Sequence, residues 1–450
     1  MASKPPEAPA NPAVRYPLAE RARLHTHVPV AASAVGVGAL PDAALPAVKS
    51  RNNWVLYAFV FFLPLQNLQV GYMPNLGAGL NFLNLFFGLS LIGAWKVGGS
   101  LGKGEALNRW VLIYAIYQVI SLLIGYRFVS SPEVHVNLLK DQLLGLFVFY
   151  LVQMSVVDWT AWRRILLATV LPLPYIGRVL WAQHQSVAEW HYSDDLRIKG
   201  TFTLLGANEM AAFCVTSVII LFALLLGAKM SRMWRWGLLA GLAFMVMGVM
   251  YGYSRTAYVT LILGVLTVAL VWRQRMRLIL PLLITAALLP AIVPSSVMER
   301  FEETKVEEGQ RDESTEMRFE FWAIAWDTFT HYPIAGTGYH TFHHREINPW
   351  GKDTHNLYMR TLSEGGLIGA VILLGILFSV LLTVLRHLKI SATGTMPYAL
   401  GVGLVGVWVA WIVGNLFGDR FTYYPMIAYL WVYVALLIKA RDLPKEGAKP

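Results

Sequence analysis

A few charged and imidazole side chains sit where a membrane-crossing chain would have to hold them at its surface. Arg255 lies in Tyr251-Gly252-Tyr253-Ser254-Arg255-Thr256-Ala257, a short turn between two apolar stretches. An arginine fixed there presents a fork of donors suited to phosphate, although a snorkelling interfacial arginine is an equally simple reading. Arg197-Ile198-Lys199-Gly200 places two cations and a glycine just before another apolar run, which suits an anionic head group. Taken alone, an ordinary loop charge pair explains that stretch as well. Thr354-His355-Asn356 precedes a long apolar stretch, with Asp353 or Thr354 as the expected helix cap and His355 at the helix mouth. A helix start and nearby cations hold an imidazole neutral at pH 7, and a neutral imidazole accepts a proton from an attacking hydroxyl. Arg360 and Glu364 are four residues apart, so they can neutralise each other on one helix face. Gly366 and Gly369 would let another helix approach closely. His340, His343 and His344 have the spacing of one helical face and raise the question of zinc. Their one close acidic companion is Glu346, a poor ligand set, so no metal and no other cofactor is expected. The turn at Pro74-Asn75-Leu76-Gly77 offers no carboxylate for a divalent ion either, and Asp194-Asp195 is the acidic pair nearby.

The elements that must position these residues are membrane helices. Of the 450 residues, 56% are hydrophobic and 14% charged, where a soluble domain carries roughly a quarter charged. Sixteen Trp and twenty Tyr suit two bilayer interfaces. The net charge of +10 does not indicate nucleic acid, because the Lys and Arg residues fall mostly in short loops between apolar runs. The single cysteine, Cys214, excludes an intrachain disulfide. The fold class expected is an all-α polytopic membrane protein with about twelve transmembrane helices. They are placed near 54–72, 80–96, 108–126, 139–157, 163–181, 206–228, 233–251, 256–272, 277–294, 357–385, 398–418 and 424–440. Residues 1–52 read as a flexible cytoplasmic tail, 53–294 as helices one to nine, and 295–356 as one long outer loop. Residues 357–440 read as helices ten to twelve, and 441–450 as a second cytoplasmic tail.

With both termini inside, the basic loops Lys96 to Arg109, Arg163-Arg164, Lys229 to Arg235, Arg273 to Arg277 and Arg386 to Lys389 fall inside. Together with the two tails they hold about 23 of the 37 Lys and Arg residues. Outside is the periplasm if the cell is Gram-negative. No internal repeat is visible, which weighs against a transporter of inverted halves.

Three pieces in order carry a resemblance. They are Arg197-x-x-Gly200 followed by Asn208, then Ser254-Arg255-Thr256-Ala257, then the loop. The loop contributes Arg318 to Trp322, Tyr332-Pro333-Ile334-Ala335-Gly336-Thr337-Gly338, and His355-Asn356 with Gly366 and Gly369. Over about 195–370 the chain resembles the O-antigen ligases, within the larger group of bacterial O-antigen ligases and polymerases. The resemblance implies a GT-C-like glycosyltransferase architecture in the bacterial inner membrane, with the active site on the periplasmic side. It implies an undecaprenyl-pyrophosphate-linked O-antigen as donor and lipid A-core oligosaccharide as acceptor, with membrane lipids around them. Arg197, Arg255 and Lys199 would bind pyrophosphate, and His355 would deprotonate the acceptor hydroxyl in a metal-independent, inverting displacement. Arg318, His343, His344, Arg345, Asn356 and Asp419 are the possible supporting residues, with His343 or His344 the alternative base. An O-antigen polymerase is the nearest rival reading, and a flippase for a lipid-linked glycan is a more distant one.

Overall fold

The computed structural model describes residues 52–73, 80–129, 131–187, 191, 193–302 and 313–444. The expected N-terminal tail up to residue 51, the Pro74–Gly77 turn and residues 445–450 lie outside them. The described residues are helical, with no named strand among them. The first half holds α1 (Trp54–Phe62), α2 (Gln66–Tyr72), α3 (Phe82–Val97), α4 (Ala106–Ile124), α5 (Pro132–Ser155), α6 (Trp159–Val170) and α7 (Leu173–Gln185). Next come α8 (Ala207–Gly227), α9 (Arg232–Tyr251), α10 (Arg255–Val271), α11 (Met276–Ile292), α12 (Ser295–Glu302) and α13 (Glu313–His331). The chain closes with α14 (Leu357–Ile390), α15 (Met396–Gly414) and α16 (Tyr424–Asp442).

Helices occupy all twelve stretches expected from hydropathy, but they do not amount to twelve regular spans. Among the described residues, seven helical stretches are long and apolar enough to cross a membrane, or eight if α1 and α2 count together. The stretch 54–72 is two helices bent by 99°. Pro64 lies at the break and has no N–H to continue the ladder. Its carbonyl is taken up by the Thr201 hydroxyl at 2.7 Å, and the Asn67 N–H donates to the Thr201 carbonyl at 3.1 Å. The loop that follows Arg197 therefore docks on this bend. Helix α5 starts seven residues before its expected apolar stretch, with Pro132 in its first turn, and the added turns carry His135.

Hydrophobicity does not drive helices together inside lipid, so close packing has to. Helix α16 is buried along almost its whole length, from Pro425 to Lys439, with Trp431, Tyr429 and Tyr433 inside the bundle. Helices α10 and α15 cross backbone to backbone, where a Cβ on Gly406 would stand 2.7 Å from the Gly264 carbonyl oxygen.

The basic loops assigned to one side do meet at one face. Glu105 pairs there with Arg386, His387 and Arg441 at 3.1, 3.2 and 2.7 Å. Lys229 bonds Gly394, and Lys439 bonds the Ser100 carbonyl. The opposite face carries the loops with Arg197, Arg255, the histidines and Asp419.

The expected long loop, 295–356, contains α12, α13 and then a run of tight turns over 332–350. Those turns do not form the helical face that would align three histidines. They are anchored on α14, which is broken at Gly366 (φ 57°). The N–H groups of Leu367 and Ile368 donate instead to the carbonyls of Pro333 and Ile334, at 2.8 and 3.1 Å. Thr337 and Gly338 donate to Ser363 and Glu364, at 3.0 and 2.8 Å. What approaches the α14 glycine at 366 is thus this loop rather than a second helix, while Gly369 faces Tyr117 of α4.

Gly336 (φ 68°) leaves no room for a side chain, since a Cβ would lie 2.3 Å from the Glu364 carbonyl. Gly336→Ala is expected to cost about 2 kcal/mol or more, from left-handed strain plus overpacking. Gly351→Ala, equally left-handed but with no contact closer than 3.6 Å, should lose only the conformational part. Thermal unfolding of the detergent-solubilised protein compares the two.

Candidate active site

Three segments converge on the outer ends of α8, α10, α14 and α15. The first is the Arg197 loop. The Arg197 Nε donates to the Gly252 carbonyl at 3.0 Å, its guanidinium also bonds Asn208 Oδ1, and Ile198 N–H donates to the Tyr251 carbonyl. Gly200 (φ 54°) lies against Met210 and Leu180 and exchanges two hydrogen bonds with the Gln183 amide. Arg197 is thereby fixed to the turn that leads into Arg255. Lys199 is exposed.

The second segment is the α9–α10 turn. Arg255 is the first residue of α10, and with Arg318 of α13 it lines one cavity of about 230 Å³. Thr256, Val259, Phe319, Trp322, Val413 and Phe417 complete the walls. Two guanidinium groups over a mostly apolar lining make a place for an anion attached to something greasy. From Arg255, the exposed side chains of Val259, Ile262, Leu266 and Leu270 continue along α10 as an outward apolar stripe.

The third segment carries His355. The Trp322 indole, from the cavity wall, donates to the Thr354 carbonyl at 3.0 Å, which ties α13 to the residue before His355. The cap of α14 is Asn356, not Asp353 or Thr354 as expected. Its Oδ1 accepts from the N–H groups of Tyr358 and Met359, at 2.9 and 3.1 Å. Thr354 instead accepts from the Asn356 N–H at 3.2 Å. His355 has φ 51°, a left-handed conformation that a non-glycine residue adopts only when its surroundings impose it. The side chain opens to the outside at one edge, but partial burial lowers its pKa below the usual imidazole value. Asp353 opposes that shift, and Arg318, Lys352 and Arg420 reinforce it. The imidazole is neutral at pH 7 and so able to accept a proton.

Beneath these lies a buried charge cluster. Arg360 pairs with Glu364 at 3.5 Å, as the i, i+4 spacing predicted, and more closely with Asp419. The Asp419 carboxylate also accepts from the N–H groups of Phe421 and Thr422 and from the Thr422 hydroxyl, at 3.0, 3.2 and 2.5 Å. Asp419 is buried and its oxygens are occupied by these groups. Glu364 accepts the N–H groups of His340 and Phe342, both at 3.1 Å. The loop histidines then divide. His340 and His343 stack inward with ring centroids 4.3 Å apart, while His344 turns onto Phe128. Arg345 is exposed.

Of the residues singled out in the sequence, Arg197, Arg255, Arg318, His355 and Asn356 come together around one region, and His344 and Arg345 stand apart from it. Arg420 stood out in the sequence only as the neighbour of Asp419, with no role given to it, yet it is buried and acts on His355; the reach of Glu364 to the histidine loop was not foreseen. A carboxylate inside an apolar stretch is costly enough to have marked Glu364; the fold alone chose its partners.

The helices and this site define a polytopic membrane protein with a cationic, histidine-bearing site at one face. Residues 240–374 match the family model described as O-antigen ligase, a likeness over about a third of the chain that supports a protein of that family. The match runs from within α9 into α14, so it takes in Arg255, Arg318, the loop histidines, His355, Arg360 and Glu364 but not Arg197, Lys199 or Asp419. A search of curated proteins finds no match.

Proposed function

We propose that the protein is an O-antigen ligase that transfers a glycan from undecaprenyl pyrophosphate to a sugar hydroxyl of lipid A-core at the periplasmic face of the inner membrane. The observation that carries the reading is the shared Arg255–Arg318 cavity, whose Trp322 wall bonds the residue next to His355. In this reading pyrophosphate sits between Arg255 and Arg318, with Arg197 behind and Lys199 at the rim. The polyprenyl chain follows the apolar stripe of α10. The arginines stabilise the charge that grows on the leaving pyrophosphate as the glycosyl bond breaks. His355 takes the proton from the acceptor hydroxyl, whose oxygen attacks the anomeric carbon from the opposite face and inverts it. The arginines, rather than a metal ion, neutralise the leaving group. His343 sits in an inward cluster with His340, and His344 lies on Phe128; both arrangements favour His355 as the base.

Polymerisation of the same donor is the rival outcome, and one assay separates the two. Purified protein is incubated with the polyprenyl-pyrophosphate glycan and lipid A-core, and the products are resolved on a gel. Modified core with wild type, reduced on the order of 10²–10³-fold by Arg255→Ala, supports the ligase. Lengthened donor glycan with unmodified core would make the protein a polymerase. Full transfer by Arg255→Ala would remove the arginine from the site.

A further inference from the structure

The sequence offered the loop histidines no good acidic partner, and the fold supplies one. One ligand atom from each of His340, His343 and Glu364 lies within 4.8 Å of the others. Two imidazoles and a carboxylate are a familiar ligand set for zinc. We propose that these three residues form a binding site for a divalent transition-metal ion, with zinc the best match, which clamps the 332–350 loop onto α14.

Several observations converge on it. His343 Nδ1 is buried without a hydrogen-bond partner, an arrangement that disfavours a merely structural imidazole. His340 is held at φ 56°, so its ring is aimed by a strained backbone rather than by an ordinary turn. The Glu364 carboxylate is oriented by the N–H groups of His340 and Phe342, the kind of outer support that fixes a ligand. Arg360 touches that carboxylate at 3.5 Å but is shared with Asp419, its closer partner. His135 of α5 adds a fourth imidazole edge-on to His340 at 5.6 Å. Its Nδ1 is 3.0 Å from the Ser131 carbonyl, which leaves Nε2 as the acceptor.

The site is independent of the transfer chemistry proposed above, and its test reads metal rather than activity. Full-length protein, purified in detergent with a histidine-free tag and stripped with a chelator, is titrated with Co2+ alone and then with Zn2+. The expected result is one Co2+ per chain, with a visible absorption spectrum typical of mixed nitrogen and oxygen ligation, displaced by Zn2+. His343→Gln should weaken binding tenfold or more, while His344→Gln should leave it unchanged. If His343→Gln does not fold, His340→Asn takes its place, since asparagine tolerates the left-handed backbone. Absence of saturable binding, or equal affinity in wild type and the substituted protein, overturns the proposal.

Discussion

His355→Ala is expected to reduce glycan transfer by about 10²–10⁴-fold, the range for losing a positioned general base. Because His355 is left-handed at φ 51°, alanine also introduces backbone strain. His355→Asn keeps a residue that tolerates that conformation, yet offers no comparable base, and should be as inactive. The pH profile separates a base from a structural residue. With the pKa lowered by burial and by Arg318, Lys352 and Arg420, against the opposing Asp353, the active neutral form persists below the ordinary imidazole pKa of about 6.5. Transfer should hold steady from pH 8 downward and fall only on the acid side of that value. Arg318→Met removes one of the lowering cations, so the midpoint should move up. A His355→Asn protein that still transfers at wild-type rate would rule His355 out as the base.

The second large effect is on stability. Asp419→Ala leaves Arg360, buried and fully charged, with Glu364 alone at 3.5 Å, and strips the Phe421 and Thr422 groups of their acceptor. Breaking a buried pair from one side typically costs ~3–5 kcal/mol. The unfolding temperature in detergent should therefore drop sharply, and yield from membranes with it. Joint replacement by apolar residues, Arg360→Met with Asp419→Leu, should recover part of the loss, because no charge is then stranded. The same pair of measurements tests the idea that Asp419 orients a substrate. Asp419→Asn keeps most of the hydrogen bonds, and a selective fall in transfer at near-normal stability would assign it that role. Parallel losses in both would leave Asp419 as the counter-ion of Arg360.

Composition and hydropathy were enough to place the chain in a membrane and to locate its apolar helices, while α12 and α13 fell in what read as a loop. Apolar runs of bilayer length have few alternatives to a helix, since backbone groups in lipid must satisfy one another. Basic loops sort to one side because charge governs insertion, and Glu105 with Arg386 and Arg441 shows that they do collect at one face. The Arg360–Glu364 pair was equally legible, because i, i+4 neighbours on a helix meet wherever the helix goes. Arg197, Arg255 and His355 stood out because each bordered an apolar stretch, where a charge or imidazole is costly to keep. The tertiary structure decided everything that depends on separation in space. The stretch 54–72 was expected as one span running through Pro64, and the structure breaks it there into two helices at 99°, with the Thr201 loop docked on the bend. The histidine spacing suggested a helix face, yet the turns beyond Gly336 follow the carbonyls that α14 exposes at Gly366, and so His343 and His344 part company. Glu364 lies 24 residues from His340 along the chain. A separation of that length carries no periodic signal, and the partnership exists because a broken helix and a tight loop share their backbone hydrogen bonds.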